Sequence, residues 1–199
     1  MLRSYENRVA LITGAASGIG RGVARALARR GAAVVIADID AEGAHRLAEE
    51  LGAAGRRAIA LRCDVTEAEA FAQLRDAALG AFGRIDLVMN NVGALPRGLP
   101  EHIPVEEWQR LIDINLLSVV RSNAVFLPLL LAQGEGHIVN TASFAGLYTY
   151  AYDRLPYAAT KAAVIQLSEG LALYLKPKGI GVSVLCPGPV ATNIAASIR

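Results

Sequence analysis

The sequence predicts an α/β fold in which helices cover both faces of one doubly wound parallel sheet of six strands. Two observations carry this prediction. Short apolar runs alternate with amphipathic or helical stretches along all 199 residues, which is the pattern of repeated βαβ units. Hydrophobic residues make up 53% of the chain and charged residues 19%, a composition typical of strands that are buried on both faces.

The predicted strands are the short apolar runs, several of them rich in valine and isoleucine. The first strand is followed directly by a glycine-rich turn, and the second ends at an acidic residue, Asp38. In chain order the six strands cover residues 8–13, 33–37, 58–62, 85–89, 137–140 and 182–185.

The predicted helices fill the segments between these strands. Asp40 is well placed to cap the second helix, and Pro156 suits the first turn of the last one. In chain order the helices cover residues 20–30, 41–54, 67–82, 105–132 and 156–175.

Composition and charge exclude several classes of function. The length suits one domain with a core. The net charge is only +2 and the basic residues are scattered, which argues against nucleic acid as a partner. The longest apolar run, 124–132, is too short to span a membrane, and no signal peptide precedes it, so we expect a cytoplasmic protein. Cys63 and Cys186 are expected to be buried free thiols, and no metal motif is present.

The turn after the first strand is typical of a dinucleotide site. Residues 13–20 read Thr-Gly-Ala-Ala-Ser-Gly-Ile-Gly and lead into a helix. Glycines at 14, 18 and 20 let backbone N–H groups and the positive end of the helix dipole approach a pyrophosphate. The spacing Gly-x3-Gly-x-Gly differs from the commoner dinucleotide pattern Gly-x-Gly-x-x-Gly. What the turn shares with that pattern is the way glycines let the backbone approach a pyrophosphate.

Asp38 indicates which dinucleotide is bound. A carboxylate at the end of the second strand can accept hydrogen bonds from both hydroxyls of an adenosine ribose and repels a 2′-phosphate. Ile39 and Asp40 follow it, so no basic residue directly after Asp38 can bind a 2′-phosphate. We therefore expect NAD and not NADP. The alternative is that Asp38 caps the next helix, a position that Asp40 fits better.

Tyr157 and Lys161 form a candidate proton-transfer pair. Residues four apart lie on one face of a helix. An ammonium about 5 Å from a phenol would stabilise the phenolate by about 3 kcal/mol and lower the tyrosine pKa by about two units. The alternative is a tyrosine that packs beside a solvated lysine.

Two long loops are candidate walls for a substrate. Residues 94–104 and 144–155 both follow the carboxyl end of a strand, where open α/β sheets bind ligands. The second loop contains Tyr148, Tyr150 and Tyr152. The alternative is that these tyrosines only cover the loop.

Taken together and in this order, the motifs resemble those of the short-chain dehydrogenase/reductase family, in its compact single-domain branch, over essentially the whole chain. Ser17, at a position where the extended branch typically has glycine, argues against that branch. The resemblance also covers the segments 63–65, 90–93 and 187–192, which in the family contact the cofactor together with the glycine-rich turn. It implies a Rossmann-type fold. It implies an NAD site formed by Gly14, Ser17, Gly18, Ile19, Gly20, Asp38, Asp64, Val65, Asn91, Gly93, Tyr157, Lys161, Pro187, Gly188, Val190 and Thr192.

The resemblance also implies a catalytic set. Tyr157 would exchange a proton with the substrate oxygen, Lys161 would lower the tyrosine pKa and hold the nicotinamide ribose, and Ser143 would hydrogen-bond that oxygen. Asn115 would hold a water that links Lys161 to bulk solvent, and it can at the same time be a polar residue that bends a buried helix through backbone hydrogen bonding. The expected enzyme interconverts a secondary alcohol and its ketone. The alternative is a catalytically impaired NAD-binding or scaffold protein on the same fold.

Two further expectations come from this resemblance. Relatives usually continue past the position of Thr192, so we expect residues 1–199 to be a single NAD-binding domain without the usual substrate lid, last helix and seventh strand, with a tail omitted from the sequence. Relatives also pair through two long helices. We therefore expect a homodimer or homotetramer through helices 105–132 and 156–175, which are apolar around much of their surface.

Overall fold

A parallel six-stranded sheet organises the protein. The computed structural model describes residues 4–192 and residue 194. The strand order is β3-β2-β1-β4-β5-β6, and every neighbouring pair is parallel. The strands are β1 Val9–Thr13, β2 Ala33–Asp38, β3 Ala58–Arg62, β4 Leu87–Asn90, β5 Gly136–Thr141 and β6 Ile180–Leu185. All six predicted strands are confirmed, with ends that differ by one or two residues.

In the described part of the chain, six α-helices connect the strands, and the predicted helix 105–132 is wrong in one respect. It is divided by a π-helical turn at Asp113–Leu117, which carries Asn115. The predicted helix 67–82 also begins later, because residues 67–69 form a turn. The helices are α1 Gly18–Arg29, α2 Ala41–Ala53, α3 Ala70–Phe82, α4 Val105–Ile112, α5 Ser118–Gln133 and α6 Leu155–Leu175.

Alternating side chains of the strands build a core on each face of the sheet. Leu11 and Val35 pack with Phe71 of α3 and Phe126 of α5 on one face. Their neighbours Ile12 and Ile36 pack on the other face with side chains of α1 and α2. Both faces are therefore covered, as the apolar composition predicts.

Helix α6 packs beside α5 with a buried stripe that recurs once per turn as far as Ser168 and again at Leu175, two turns later. Its residues are Pro156, Tyr157, Thr160, Lys161, Val164, Ser168 and Leu175. Tyr157 and Lys161 thus lie together on the face that is turned toward the sheet. The predicted i,i+4 relationship is confirmed, and the alternative of a solvated lysine is wrong because Lys161 is only 2% exposed.

The segment Val105–Gln133 is the one stretch among residues 4–192 and 194 that is apolar and long enough to cross a membrane by length and composition, with a mean hydropathy of 1.7. A core helix meets the same criterion, and here Leu111, Phe126 and Leu130 are fully buried against the protein. Leu117 and Val120 remain exposed by 39% and 44%. Part of this surface is therefore available to a partner subunit.

The chain order of the strands fixes where a ligand can bind. From β1 the chain continues through β2 and β3 on one side, and it returns through β4, β5 and β6 on the other. The connections leave β1 and β4 in opposite directions, so a crevice opens at their carboxyl ends, beside Thr13 and Asn90.

Candidate active site

A cleft of about 790 Å³ opens at the carboxyl ends of the strands. It is lined by all of the predicted site residues except Gly20 and Asn115. Those that line it are Gly14, Ser17, Gly18, Ile19, Asp38, Asp64, Val65, Asn91, Gly93, Ser143, Tyr157, Lys161, Pro187, Gly188, Val190 and Thr192. Residues from both halves of the sequence therefore meet in one concave site.

The glycine turn brings the backbone of residues 14–20 close to the strand ends. Gly14 and Gly18 have φ angles of 64° and 51°, which side-chain-bearing residues rarely adopt. Gly20 does not line the cleft, but a Cβ at this position would lie 2.2 Å from Gly14 O and 2.8 Å from Asn91 Nδ2. Its lack of a side chain lets α1 start tightly against the turn, with its N-terminus at the cleft.

Asp38 holds the glycine turn at the end of β2. Its Oδ2 accepts a hydrogen bond from Ala16 N at 2.8 Å, and its Oδ1 accepts one from Asp40 N at 3.0 Å. Asp40, and not Asp38, caps α2, through a bond of 2.9 Å from Gly43 N. The capping alternative for Asp38 is therefore wrong. A carboxylate has about four lone-pair positions, so Asp38 can accept further bonds from a ligand in the cleft.

Asp64 and Asn91 extend the cleft wall on either side of β1. Asp64 Oδ1 accepts bonds from the N–H and the hydroxyl of Thr66, which hold the pKa of Asp64 below its ordinary value. Asn91 Nδ2 donates to Gly14 O at 3.2 Å, and its Oδ1 accepts from Thr141 Oγ1 at 3.3 Å. Asn91 thus links the glycine turn to the end of β5.

Tyr157 is 9% exposed and its pKa is raised. Burial is the main cause, because it disfavours the charged phenolate, and a hydrogen bond with the Ser143 side chain and the charge of Arg154 act in the opposite direction. The expected lowering by Lys161 is therefore not found. The Coulomb argument from sequence leaves out desolvation: burial disfavours the charged phenolate, and this cost is the largest cause of the raised pKa.

Lys161 is buried beneath the tyrosine ring. Its Nζ lies 5.8 Å from the ring centre of Tyr157 and donates to Thr141 O at 2.8 Å. Burial lowers the pKa of Lys161 from 10.5 to about 8. Gly93 makes room for this ammonium, because a Cβ there would lie 3.2 Å from Nζ.

Ser143 lies directly after β5 and beside Tyr157. It is 8% exposed, and its Oγ accepts a bond of 3.1 Å from Ala145 N. The backbone of the next residue is fixed to the loop after β6, since Phe144 N donates to Pro187 O at 3.0 Å. The serine hydroxyl and the tyrosine hydroxyl are thereby held on the same wall of the cleft.

Asn115 lies behind this wall and does not line the cleft. Its Oδ1 accepts from Ala94 N at 2.8 Å, and its Nδ2 donates to Ala94 O at 3.0 Å and to Thr160 Oγ1 at 3.1 Å. Both amide hydrogens are therefore used within the protein. The residue sits in the π-helical turn, and its side chain fastens the loop after β4 to α6.

The predicted loop walls are confirmed in part. Leu95 of the first loop and Phe144 and Tyr150 of the second line the cleft. Tyr148 and Tyr152 do not, and they border a separate apolar groove of about 410 Å³ beside Trp108.

Sequence reasoning missed two charged residues of the cleft, Arg110 of α4 and Arg154 at the start of α6. Arg154 stands three residues before Tyr157, a spacing that could have indicated it. Arg110 carries no such signal, because only the packing of α4 brings it to the cleft.

Comparison with known proteins adds a family and several relatives. The sequence profile of short chain dehydrogenases matches residues 8–199. The chain is 39% identical to cyclohexanol dehydrogenase of Acinetobacter sp. (strain SE19) over 200 residues, which cover 100% of this chain and 79% of that protein. It is 40% identical to cis-4-hydroxycyclohexanecarboxylate dehydrogenase of Sinomonas cyclohexanicum over 204 residues, which cover 100% and 81%.

Two solved structures share the fold over nearly the whole chain. A short chain dehydrogenase/reductase from Burkholderia phymatum in complex with NAD superposes with a TM-score of 0.94 at 39% identity, covering 98% of this chain and 70% of the other. The 3-ketoacyl-(acyl-carrier-protein) reductase of Brucella melitensis complexed with NADH gives a TM-score of 0.91 at 34% identity, covering 98% and 81%.

Proposed function

The chain belongs to the short-chain dehydrogenase family, and on that premise we propose that it is an NAD-dependent dehydrogenase that interconverts a secondary alcohol and its ketone. One observation carries the proposal most directly. Tyr157, Lys161 and Ser143 meet in the same cleft as the glycine turn and Asp38, so a proton-transfer group and a dinucleotide site share one cavity.

The residues at one end of the cleft fit NAD. The tight start of α1 leaves backbone N–H groups for a pyrophosphate, and Asp38 keeps acceptor positions for two ribose hydroxyls. When bound, NAD supplies the acceptor or donor of hydride. The Asp38 carboxylate would repel the extra phosphate of NADP, because it lines the cleft and carries a negative charge.

The protein's own contribution is to hold and move one proton. Since burial raises the pKa of Tyr157, its hydroxyl keeps its proton at neutral pH and can donate it to a carbonyl oxygen during reduction. In oxidation the phenolate form must take the proton from the alcohol. The Ser143 hydrogen bond and the positive charge of Arg154 stabilise that form when it arises.

Ser143 and Asn115 position the reacting groups. Ser143 can hydrogen-bond the substrate oxygen while its neighbours stay fixed to the β6 loop. Asn115 acts as a positioning residue through Ala94 and Thr160, and so keeps the wall opposite the glycine turn in place.

The substrate class follows from relatives and from the cleft. Two relatives carry names that denote dehydrogenases of cyclohexane alcohols. In this chain Leu95, Ile114 and Tyr150 offer an apolar wall to a ring. We therefore expect a cyclic secondary alcohol.

The direct test is NADH formation by the purified protein with NAD and a panel of cyclic and linear secondary alcohols. Turnover of a cyclic alcohol supports the proposal. Calorimetry that shows NAD binding, without turnover of any alcohol in the panel, would instead favour an NAD-binding or scaffold role.

We also propose that copies of the chain associate through the long helices. Several apolar residues of these helices, among them Phe126, Val164 and Leu175, are fully buried in the monomer's own core. Exposed apolar candidates are Leu117 and Val120 on the first helix and Leu173 and Tyr174 on the second. Light scattering tests the proposal, and a monomer at micromolar concentration would contradict it.

A further inference from the structure

The charged residues that line the cleft are separated by sign. Asp38 and Asp64, the acidic ones, follow β2 and β3 at the end that fits adenosine. The basic ones are Arg110 of α4, Arg154 directly before α6, and Lys161 of α6. Within the described part of the chain, no acidic residue lines the cleft around these three cations.

Arg154 is held in place by an ion pair with Asp153, a residue that does not itself line the cleft. Its Nε and Nη2 donate to Asp153 at 2.8 Å each, and Asp153 is absent from the cleft wall. A guanidinium has five N–H donors in a planar fork, so this pairing fixes the group and leaves donors for a second acceptor. The Arg154 side chain is 32% exposed, which is low for an arginine at a protein surface.

The position of Arg154 places its charge at the substrate end. It stands one helical turn before Tyr157, and both line the same cleft. The positive charge of Arg154 favours the phenolate of Tyr157, and the charge of Tyr150 acts on Arg154 in turn. The guanidinium therefore lies near the point where the alcohol must bind.

Arg110 adds a second cation to this end. It pairs with Glu107 through bonds of 2.8 Å and 2.6 Å, its side chain is 20% exposed, and it lines the cleft while Glu107 does not. The apolar side chains of Ile114 and Leu95 line the same cleft, and a hydrogen bond from a guanidinium to a carboxylate is charge-assisted, so it is stronger than a bond between neutral groups.

We propose that the alcohol substrate carries a carboxylate, that Arg154 binds this carboxylate, and that Arg110 supports it. The inference rests on the proposed dehydrogenase function and adds the substrate's charge to it. Arginine is suited to this task because its fork matches the two oxygens of a carboxylate. Arg154 is then a specificity-determining residue, and the hydride and proton transfers stay as described above.

The test compares two substrates that differ in charge at one group. They are 4-hydroxycyclohexanecarboxylate and its methyl ester, which share the ring and the carbinol. For the wild type we expect kcat/KM for the acid to exceed that for the ester by about 10-fold or more. Arg154→Gln should reduce this ratio about 10- to 100-fold, mainly through KM of the acid.

Two further variants separate charge recognition from a structural effect. Arg154→Lys keeps the charge without the fork and should give an intermediate ratio. Arg97→Gln is the matched control, because Arg97 pairs with the same Asp153 at 3.8 Å but is 70% exposed and does not line the cleft. It should leave the ratio at the wild-type value.

The possible outcomes are distinct. An acid-to-ester ratio that is the same in wild type and Arg154→Gln overturns the inference, even if both substrates are oxidised. If neither substrate is oxidised, the proposed function fails on its own. Calorimetry with cyclohexanecarboxylate and the NADH-loaded protein then decides the inference: weaker binding to Arg154→Gln than to wild type supports it, and equal binding or no binding to either overturns it.

Discussion

The ammonium nitrogen of Lys161 lies 5.8 Å from the centre of the Tyr157 ring, and burial shifts the pKa values of the two groups in opposite directions. The tyrosine pKa rises from 10.0, and the lysine pKa falls from 10.5 to about 8. As pH rises, the lysine is therefore the first of the two to lose its proton. At neutral pH the pair therefore consists of a neutral phenol and an ammonium.

Replacing Tyr157 by phenylalanine should remove the proton donor and keep the ring packing. We expect kcat for alcohol oxidation to fall by about 100-fold or more, because general acid–base groups contribute about that much. NADH binding, measured by calorimetry, should persist. Tyr152→Phe is the control, since Tyr152 is 66% exposed and borders the separate groove. Full activity in Tyr157→Phe would refute the proposed proton transfer.

Lys161 should reduce stability in a way that depends on pH. Its folded pKa lies below its ordinary value, so the unfolded chain binds the extra proton between pH about 8 and 10.5. The cost of burying the ammonium is present in full below pH about 8 and disappears as pH rises to 10.5. The free energy of unfolding of wild type, relative to Lys161→Met, should therefore rise by about 3 kcal/mol across that range.

Chemical denaturation at neutral pH and near the upper limit of this range measures the effect. Lys176→Met removes an exposed lysine just beyond α6 and serves as the control for losing a surface charge. A difference between wild type and Lys161→Met that does not change with pH would mean that burial leaves Lys161 with its ordinary protonation.

Asp38→Asn should change the choice of cofactor. The amide oxygen can still accept from Ala16 N, but the negative charge is lost. We expect NAD to bind about 10-fold more weakly and NADP to bind more tightly than in wild type. Calorimetry with both cofactors measures this. In the control Asp40→Asn, asparagine still caps α2, so the preference for NAD over NADP should not change. Equal affinity of wild type for NAD and NADP would contradict the role of Asp38.

Asp86→Asn should destabilise the amino-terminal end of the sheet, which lies opposite the cleft. Asp86 is fully buried and accepts bonds from Arg84, from Val9 N and from Arg8. Burial raises the pKa of this carboxyl, but these hydrogen bonds outweigh it and hold the pKa below 3.8. Removing the charge leaves two guanidinium groups with a weaker partner and should lower the free energy of unfolding by about 3 kcal/mol.

The pH dependence of this variant gives a second measurement. A carboxyl with a lowered pKa contributes stability above its unfolded pKa, and the contribution is lost as pH falls through the folded value. Wild type should therefore lose more stability than Asp86→Asn when the solution is acidified below pH about 4. Asp76→Asn, at an exposed pair with Arg75, should have no measurable effect at either pH. Equal stability of wild type and Asp86→Asn at neutral pH would contradict the prediction.

The sequence by itself determined the fold class, the succession of strands and helices along the chain, and most of the cleft. Short-range patterns carry this information: alternating apolar runs mark the βαβ units, glycines at 14, 18 and 20 mark the turn, and the i,i+4 spacing puts Tyr157 and Lys161 on one face. These features depend on backbone geometry over a few residues, which local sequence specifies.

Only the tertiary structure decided the direction of the pKa shift of Tyr157 and which residues of α4 line the cleft. The pKa of Tyr157 rises because α6 turns that side chain into the core, a desolvation that spacing alone does not reveal. Arg110 reaches the cleft through the packing of α4, and Asn115 bonds to Ala94 across 21 positions of sequence. Such effects arise between segments that are distant in the chain, so they follow from how helices pack on the sheet and not from any local pattern.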